Sequence, residues 1–442
     1  MLYGGVAWVF FAVSLVFAIL AVNAYFPVRR EPFAVASFAL GWIPGELPVH
    51  MVALLAFGAV AFGLNGSLSG WPGWVGLAVA GVTAGAYVRL AVVAAGAAAL
   101  VDEALDRATG GAVGVLAQDP RPAWNRRWRL VIAVPFRFRA IRRARNIDYW
   151  GDGNYRHKLD VLTRRGVPPV NAPVLVYIHG GAWVIGDKRE QGIPMMHELV
   201  QRGWVCVAVN YRLSPRATWP AHIVDCKRAV AWVRQHIAEY GGDPEFIAVS
   251  GGSAGGHLSA LLALTSHDSQ WQPGFEDLDA SVDACLPFYG VYDMTGDPER
   301  SGSYGDGTLD LLERMVMKTS AADNPRLFEE ASPDHRVTVA APPMMVFHGV
   351  NDTLVPVAVA RHFVAQLRLH SQAPVAAVEL PRAQHAFDVL ASIRCRHTTM
   401  GAVRFLEAMR VRADQRATAT GPEACAKHVP TWAAGHPDEF LT

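Results

Sequence analysis

The feature that most constrains this chain is a glycine-bounded turn, Gly251-Gly252-Ser253-Ala254-Gly255, set between two apolar segments of different character. Upstream, Phe246-Ile247-Ala248-Val249-Ser250 is a short run of strand length. Downstream, Ala254 to Leu264 is small and apolar nearly throughout, as a buried helix is. A strand that passes directly into a helix through G-x-S-x-G can reverse so sharply only if small residues flank the serine. The turn leaves Oγ exposed and aims the following N–H at the same space. With 40 glycines in 442 residues the five-residue pattern is weak by itself, so the strand and helix around it carry the reading.

A serine hydroxyl becomes a useful nucleophile when a histidine takes its proton and a carboxylate holds that histidine in the right tautomer. After a turn of this kind the acid and then the base follow along the chain. Pro343 to His348 reads as a buried strand running into Gly349-Val350-Asn351-Asp352, which puts Asp352 on a loop at a strand's carboxyl end. The next strand, Val375 to Leu380, leads into Pro381-Arg382-Ala383-Gln384-His385, which puts His385 on the adjacent loop. Other histidines suit structural roles. His257, His362, His370 and His397 fall in helical segments, and His348 can orient the loop that carries Asp352. Asp388 is read as a helix cap rather than the acid.

A second turn, His179-Gly180-Gly181-Ala182-Trp183, follows the apolar strand Val174 to Ile178. Without Cβ atoms, the amides of Gly180 and Gly181 can approach a substrate oxygen closely, and Ala254 supplies a third donor. Such preorganised donors stabilise the oxyanion of a tetrahedral intermediate. His179 is expected to pin this turn through a backbone hydrogen bond rather than to act on substrate.

These two turns, with Asn210-Tyr211-Arg212-Leu213-Ser214-Pro215 and the Gly349–Pro356 and Gln384-His385 loops, resemble α/β-hydrolases of the hormone-sensitive-lipase-like carboxylesterase group. The resemblance spans about residues 150–410. It implies a Ser253, Asp352, His385 triad and an oxyanion hole of Gly180, Gly181 and Ala254. Two positions depart from the group: Ala182 stands for the third glycine of the first turn, and Gly252 for the acidic residue that often precedes the nucleophile. Isoprenylcysteine methylesterases, formamidases and bacterial membrane esterases are similar at the same positions. The expected reaction is hydrolysis of a carboxylic ester through an acyl-enzyme. An amidase or formamidase with the same triad, or a non-catalytic scaffold of the same fold, is the alternative.

The surrounding pattern suits that fold. Strands near 172–178, 204–209, 246–250, 284–289, 343–348 and 375–380 alternate with helical or loop segments, which predicts a mostly parallel sheet with helices on both faces. Residues 292–335 form the longest interruption and read either as a mobile cap or as a surface excursion.

The first hundred residues belong to another solvent. Residues 5–26 contain no Asp, Glu, Lys or Arg and are long enough to cross a hydrocarbon core of ~30 Å. Further apolar stretches follow near 50–68 and 72–100, whereas 33–45 is short and interrupted. Three crossings are expected, with two or four as the alternatives. Between this region and the enzyme lies a basic stretch with Arg121, Arg126, Arg127, Arg129, Arg137, Arg139, Arg142, Arg143 and Arg145 interleaved with Trp124, Trp128, Phe136 and Phe138. With a net charge of only +1 over the chain, it reads as a membrane-surface segment rather than a nucleic-acid arm. Basic residues beside span ends favour the cytoplasmic side. Arg29 and Arg30 after the first span and the arginines after the last then put the N-terminus outside, the Asn65–Trp71 loop outside and the catalytic part in the cytoplasm.

The expected organisation is therefore a transmembrane helical region at 1–107, a basic linker at 108–149, an α/β-hydrolase domain at 150–411 and a weakly ordered tail at 412–442. All triad residues lie beyond 145, so a fragment starting there is expected to retain the chemistry. Cys206, Cys226, Cys285, Cys395 and Cys425 show neither close pairing nor metal-ligand spacing, and no nucleotide-binding loop is evident. No cofactor or metal is expected. The expected partners are a small-molecule or lipid ester and the membrane, and not nucleic acid.

Overall fold

Alternating apolar strands and helices close into one eight-stranded sheet in the computed structural model, which describes residues 2–30, 32–111, 140–301 and 306–419. The strands are β1 (Ile141–Asp148), β2 (Lys158–Arg164), β3 (Ala172–Ile178), β4 (Val205–Val209), β5 (Gly242–Gly252), β6 (Ala284–Phe288), β7 (Met344–Gly349) and β8 (Val375–Leu380). They stand in the order β1-β2-β4-β3-β5-β6-β7-β8. From β4 to β8 all neighbours are parallel, while β1 and β2 add antiparallel pairs at one edge. Each of the six expected strands is present, and the fold is that of the α/β-hydrolases.

β1 and β2 were not foreseen, and β1 corrects part of the reading of the basic stretch. Arg142, Arg143 and Arg145 lie on an edge strand, with Arg143 reaching 3.8 Å from Asp160 on β2. Charged residues suit an edge because one side of such a strand has no neighbour and must not recruit another chain. The remaining arginines of the stretch, from Arg121 to Arg139, lie outside the described residues.

The longer helices are α1 (Leu2–Tyr25), α2 (Ala34–Glu46), α3 (Pro48–Leu64), α4 (Trp71–Ala95), α5 (Ala97–Thr109), α6 (Ile193–Gln201), α7 (Ala221–His236), α8 (Ala254–Leu264), α9 (Val357–His370) and α10 (Ile393–Ala419). Successive strand residues face opposite layers. Val174, Val176 and Ile178 pack with α7, α8 and α9 through Ile223, Leu258 and Phe363. Leu175 and Tyr177 face α5, α6 and α10 through Leu105, Leu199 and Phe405. Thus α5, expected within the membrane region, is part of the catalytic core. Val101 lies against Gly401 of α10, and Asp102 pairs with Arg404. α10 also runs to Ala419, past the expected start of the tail at 412.

The described part of the 292–335 excursion is seated in the core rather than loose, since Leu312, Val316 and Phe328 are fully buried and Val316 O accepts from Trp219 N at 2.9 Å.

Among the described residues two helices, Gly5–Tyr25 and α4 with its continuation to Thr109, are long and apolar enough to cross a membrane. There are three if α2 and α3, bent by 84° at Leu47, count as one span. α1 and α4 lie parallel, with Trp8 against Trp71 and Tyr87 Oη donating to Phe17 O at 3.0 Å. The chain returns along α3, where Phe62 stacks on Phe10.

Candidate active site

The sequence turns at Ser253 as its glycines require. Ser253 sits between β5 and α8 with φ 57° and ψ −123°, a conformation that non-glycine residues adopt only when their surroundings enforce it. The enforcement is steric. A Cβ on Gly255 would come within 2.1 Å of Ile178 O, and one on Gly251 within 2.5 Å of Gly255 O. At Gly252 a Cβ would meet the Tyr289 hydroxyl at 2.6 Å, so that phenol occupies the space. Ser253 is partly exposed, and its N–H donates to Phe288 O at 3.0 Å.

Asp352 and His385 come together from the loops after β7 and β8. The Nδ1–H of His385 donates to Asp352 Oδ2 at 2.7 Å, while Asp352 Oδ1 accepts from the N–H groups of Leu354 and Val355 at 2.9 and 2.8 Å. His348 donates through Nε2 to Val355 O at 2.9 Å and stands 3.5 Å from Asp352 Oδ2, so it braces the loop as expected. Burial pushes the Asp352 carboxyl up, but the two neighbouring imidazoles and the hydrogen bonds outweigh it and hold the group below the usual aspartate value. Asp352 is therefore an anion at neutral pH, able to orient and stabilise an imidazolium.

Asp388 is not a helix cap. It lies in a turn, fully enclosed, and accepts a short hydrogen bond from Tyr289 Oη, with burial pushing its pKa up to about 6. Tyr289 in turn lies 4.5 Å from the His385 ring, centroid to centroid. Asp388 supports the aromatic floor under His385, and Asp352 holds the imidazole.

The first turn is built by residues that sequence reasoning quoted without assigning a task. Tyr211 stacks on His179 at 4.5 Å and donates through Oη to His179 O at 2.9 Å. Asn210 Oδ1 accepts from Lys188 N at 2.7 Å and fixes the far side of the loop. The His179 imidazole donates through Nδ1 to Gly180 O at 2.8 Å, and burial pulls its pKa down to about 4, so it is neutral and structural. His257 is likewise committed, accepting from Trp183 Nε1 at 3.3 Å and donating to Ala331 O at 2.8 Å.

The expectation for Gly180 needs correction. Its N–H donates to Gln191 Oε1 at 2.8 Å and is not open to a substrate oxygen. What Gly180 provides is closeness, because a Cβ there would lie 3.1 Å from Ser253 Cβ. Gly181, with φ 119°, and Ala254, at the first position of α8, remain as candidate donors, the latter among the helix-start amides that have no partner within the helix. Gln384 was missed as a brace. Its Oε1 accepts from Thr353 N at 2.8 Å and from His385 N at 3.0 Å, tying the acid loop to the base loop.

A further layer was invisible in the sequence: the N-terminal helices are bolted to these same loops. Arg29 donates to Val350 O at 2.7 Å, Asn351 to Ala24 O at 3.2 Å, and Thr353 Oγ1 to Ala34 O at 3.0 Å, so both neighbours of Asp352 are tied down. Around His385, Trp42 Nε1 donates to Ala386 O at 2.9 Å, and Glu46 forms a 2.7 Å ion pair with Arg394 in which both side chains are 1% exposed.

Comparisons with known proteins agree with this geometry. The family described as BD-FAE matches residues 159–367. A Mycobacterium tuberculosis protein described as "Probable carboxylic ester hydrolase LipM" is 43% identical over 406 residues, covering 89% of this chain and 91% of the relative. The esterase LipQ of the same organism is 48% identical over 258 residues, 58% of this chain and 60% of that one. Among solved structures, esterase B of Lactobacillus rhamnosis superposes with a TM-score of 0.54 at 18% identity, covering 72% of this chain and 99% of that one, a likeness of fold. The chain belongs to the α/β-hydrolase carboxylesterase family and is a carboxylic ester hydrolase.

Proposed function

We propose that Ser253 is the nucleophile, His385 the general base and acid, and Asp352 the group that orients and stabilises the imidazolium. The observation that carries this reading is the 2.7 Å contact between His385 Nδ1 and Asp352 Oδ2. With Nδ1 committed as the donor, Nε2 is the nitrogen left to take a proton from Ser253 Oγ. Oγ attacks the ester carbonyl, the oxyanion is held by the amides of Gly181 and Ala254, and the protonated His385 delivers its proton to the departing alcohol. Water then enters, gives a proton to His385, and attacks the acyl-enzyme to release the acid and restore Ser253. A fluorophosphonate probe should label the protein at Ser253, and Ser253→Ala should lose both labelling and turnover. Asp352→Asn should reduce kcat by about 10⁴ through a misoriented imidazole. Full hydrolysis in Ser253→Ala would refute the assignment.

The protein is further proposed to sit in a membrane through α1, α3 and α4, with the catalytic domain on the cytoplasmic side. The parallel arrangement of α1 and α4 with α3 returning between them supports three crossings, and exposed apolar side chains such as Val16, Phe57 and Val82 support lipid contact along each. Arg29 and Arg30 follow α1 on the side where the catalytic loops lie, which favours a cytoplasmic site.

A further inference from the structure

The helix that meets the catalytic loops has two unlike faces. On one, Phe38, Trp42 and Glu46 recur every four residues and so line up along a single stripe. The Phe38 and His385 rings stand nearly perpendicular, at 82°, with centroids 6.1 Å apart, Phe38 stacks on Trp42 at 5.7 Å, and Trp42 and Glu46 hold the segment that follows His385. On the other, Leu40 and Ile43 are about half exposed, as are Ile19 and Val22 of α1. Apolar side chains exposed on a helix that packs against a membrane-length helix are suited to hydrocarbon rather than water. Because α3 departs from α2 at 84°, a spanning α3 leaves α2 lying along the membrane surface. Phe38 then ties the imidazole of the site to a helix at that surface.

We propose that α2 is a wall of the active site, that Phe38 contacts the substrate and sets its chain-length preference, and that the substrate is a long-chain ester presented from the bilayer. This inference rests on the catalytic reading of Ser253 and His385. In this reading the tail of such an ester stays along the outer face of α2 while its carbonyl passes Phe38 to reach Ser253. A soluble ester needs no such wall, and a plain anchor has no reason to place an aromatic ring against the catalytic imidazole.

The test uses the full chain reconstituted in phosphatidylcholine vesicles, with kcat/KM measured for p-nitrophenyl acetate and for p-nitrophenyl palmitate dissolved in the bilayer. In Phe38→Ala the palmitate-to-acetate ratio should fall by about tenfold, the range over which apolar pocket contacts discriminate. Phe38→Leu, which keeps an apolar side chain, should recover most of it. Leu40→Gln on the outer face should lower the same ratio, with acetate turnover in each variant showing that the site is folded. If Phe38→Ala loses both activities together with its melting transition, the ratio in Leu40→Gln decides. A ratio within twofold of the unaltered protein in a folded Phe38→Ala, or in Leu40→Gln, would overturn the inference. Hydrolysis that survives Ser253→Ala would instead overturn the catalytic reading, so the two failures are distinguishable.

Discussion

The ion pair between Glu46 and Arg394 is where the N-terminal helices and the catalytic domain depend on each other most sharply. Arg394 Nη1 donates to Glu46 Oε1 at 2.7 Å and to Gly45 O at 2.8 Å, and Nη2 reaches Pro381 O at 3.3 Å. Glu46 Oε2 also accepts from Ser392 Oγ at 2.8 Å. With both side chains 1% exposed, Glu46→Ala strands a guanidinium on two backbone carbonyls and leaves Ser392 without this acceptor. Breaking a buried pair in this way costs about 3–5 kcal/mol, a large part of the 5–15 kcal/mol that holds a typical domain together. Replacing both partners by apolar residues of similar size, Glu46→Leu with Arg394→Met, removes the stranded charge and should recover most of the loss. The assay is denaturant unfolding in micelles followed by tryptophan fluorescence, with p-nitrophenyl acetate hydrolysis on the same samples. Glu46→Ala should also lose activity, because the pair fixes the segment that follows His385. A Glu46→Ala protein within about 1 kcal/mol of the unaltered chain, or a double variant as damaged as the sum of the singles, would refute the argument.

Three further outcomes are expected. Asp388 is buried with its pKa raised from 3.8 to about 6, so the folded state holds its proton longer than the unfolded chain does; stability falls as pH rises from about 4 to 6 and stays reduced above, by about 3 kcal/mol. Asp388→Asn should flatten that part of the stability profile while hydrolysis persists, and loss of hydrolysis on the scale of Asp352→Asn would reassign the acid. A fragment starting at residue 140 lacks α5 as well as α2; exposing the sites that bury Val101 and Leu105 alone costs about 3–6 kcal/mol, so it should be poorly folded and nearly inactive, and a well-folded, fully active fragment would refute this. Protease added to intact cells should spare the catalytic domain, with a reporter after Thr442 active only in its cytoplasmic form; digestion from outside would reverse the proposed orientation.

How far the site was legible depended on how local its determinants are. The bend at Ser253 is written in five consecutive residues, because the steric demand is met by its immediate neighbours, and β7 and β8 announced the loops that carry Asp352 and His385 by their apolar runs. The candidate acid, Asp352, is picked out by its position at a strand's end, a property of parallel sheets that any single chain displays. Tasks that depend on which loop faces which were not legible. Gln191 and Gln384 look like ordinary loop glutamines, yet one occupies the amide of Gly180 and the other joins two loops that are 31 residues apart in the chain. β1 was hidden for a different reason: an edge strand rich in arginine has no apolar alternation to betray it.

The least legible feature was the seam between α2 and the catalytic loops, and its concealment has a physical origin. Glu46 and Arg394 are 348 residues apart, and in the sequence Ala34–Glu46 reads as a failed span, too short and interrupted by Gly41, Pro44 and Gly45. Those irregularities are what the seam requires. A Cβ on Gly41 would fall 2.8 Å from the Asn23 side chain, so its absence lets α2 lie close against the end of α1, and the chain then turns by 84° at Leu47 into α3. A helix built to cross a bilayer alone would need neither the close approach nor the turn. The departures from a good membrane span are thus the marks of a helix shaped to serve two neighbours, α1 on one face and the loops of Asp352 and His385 on the other.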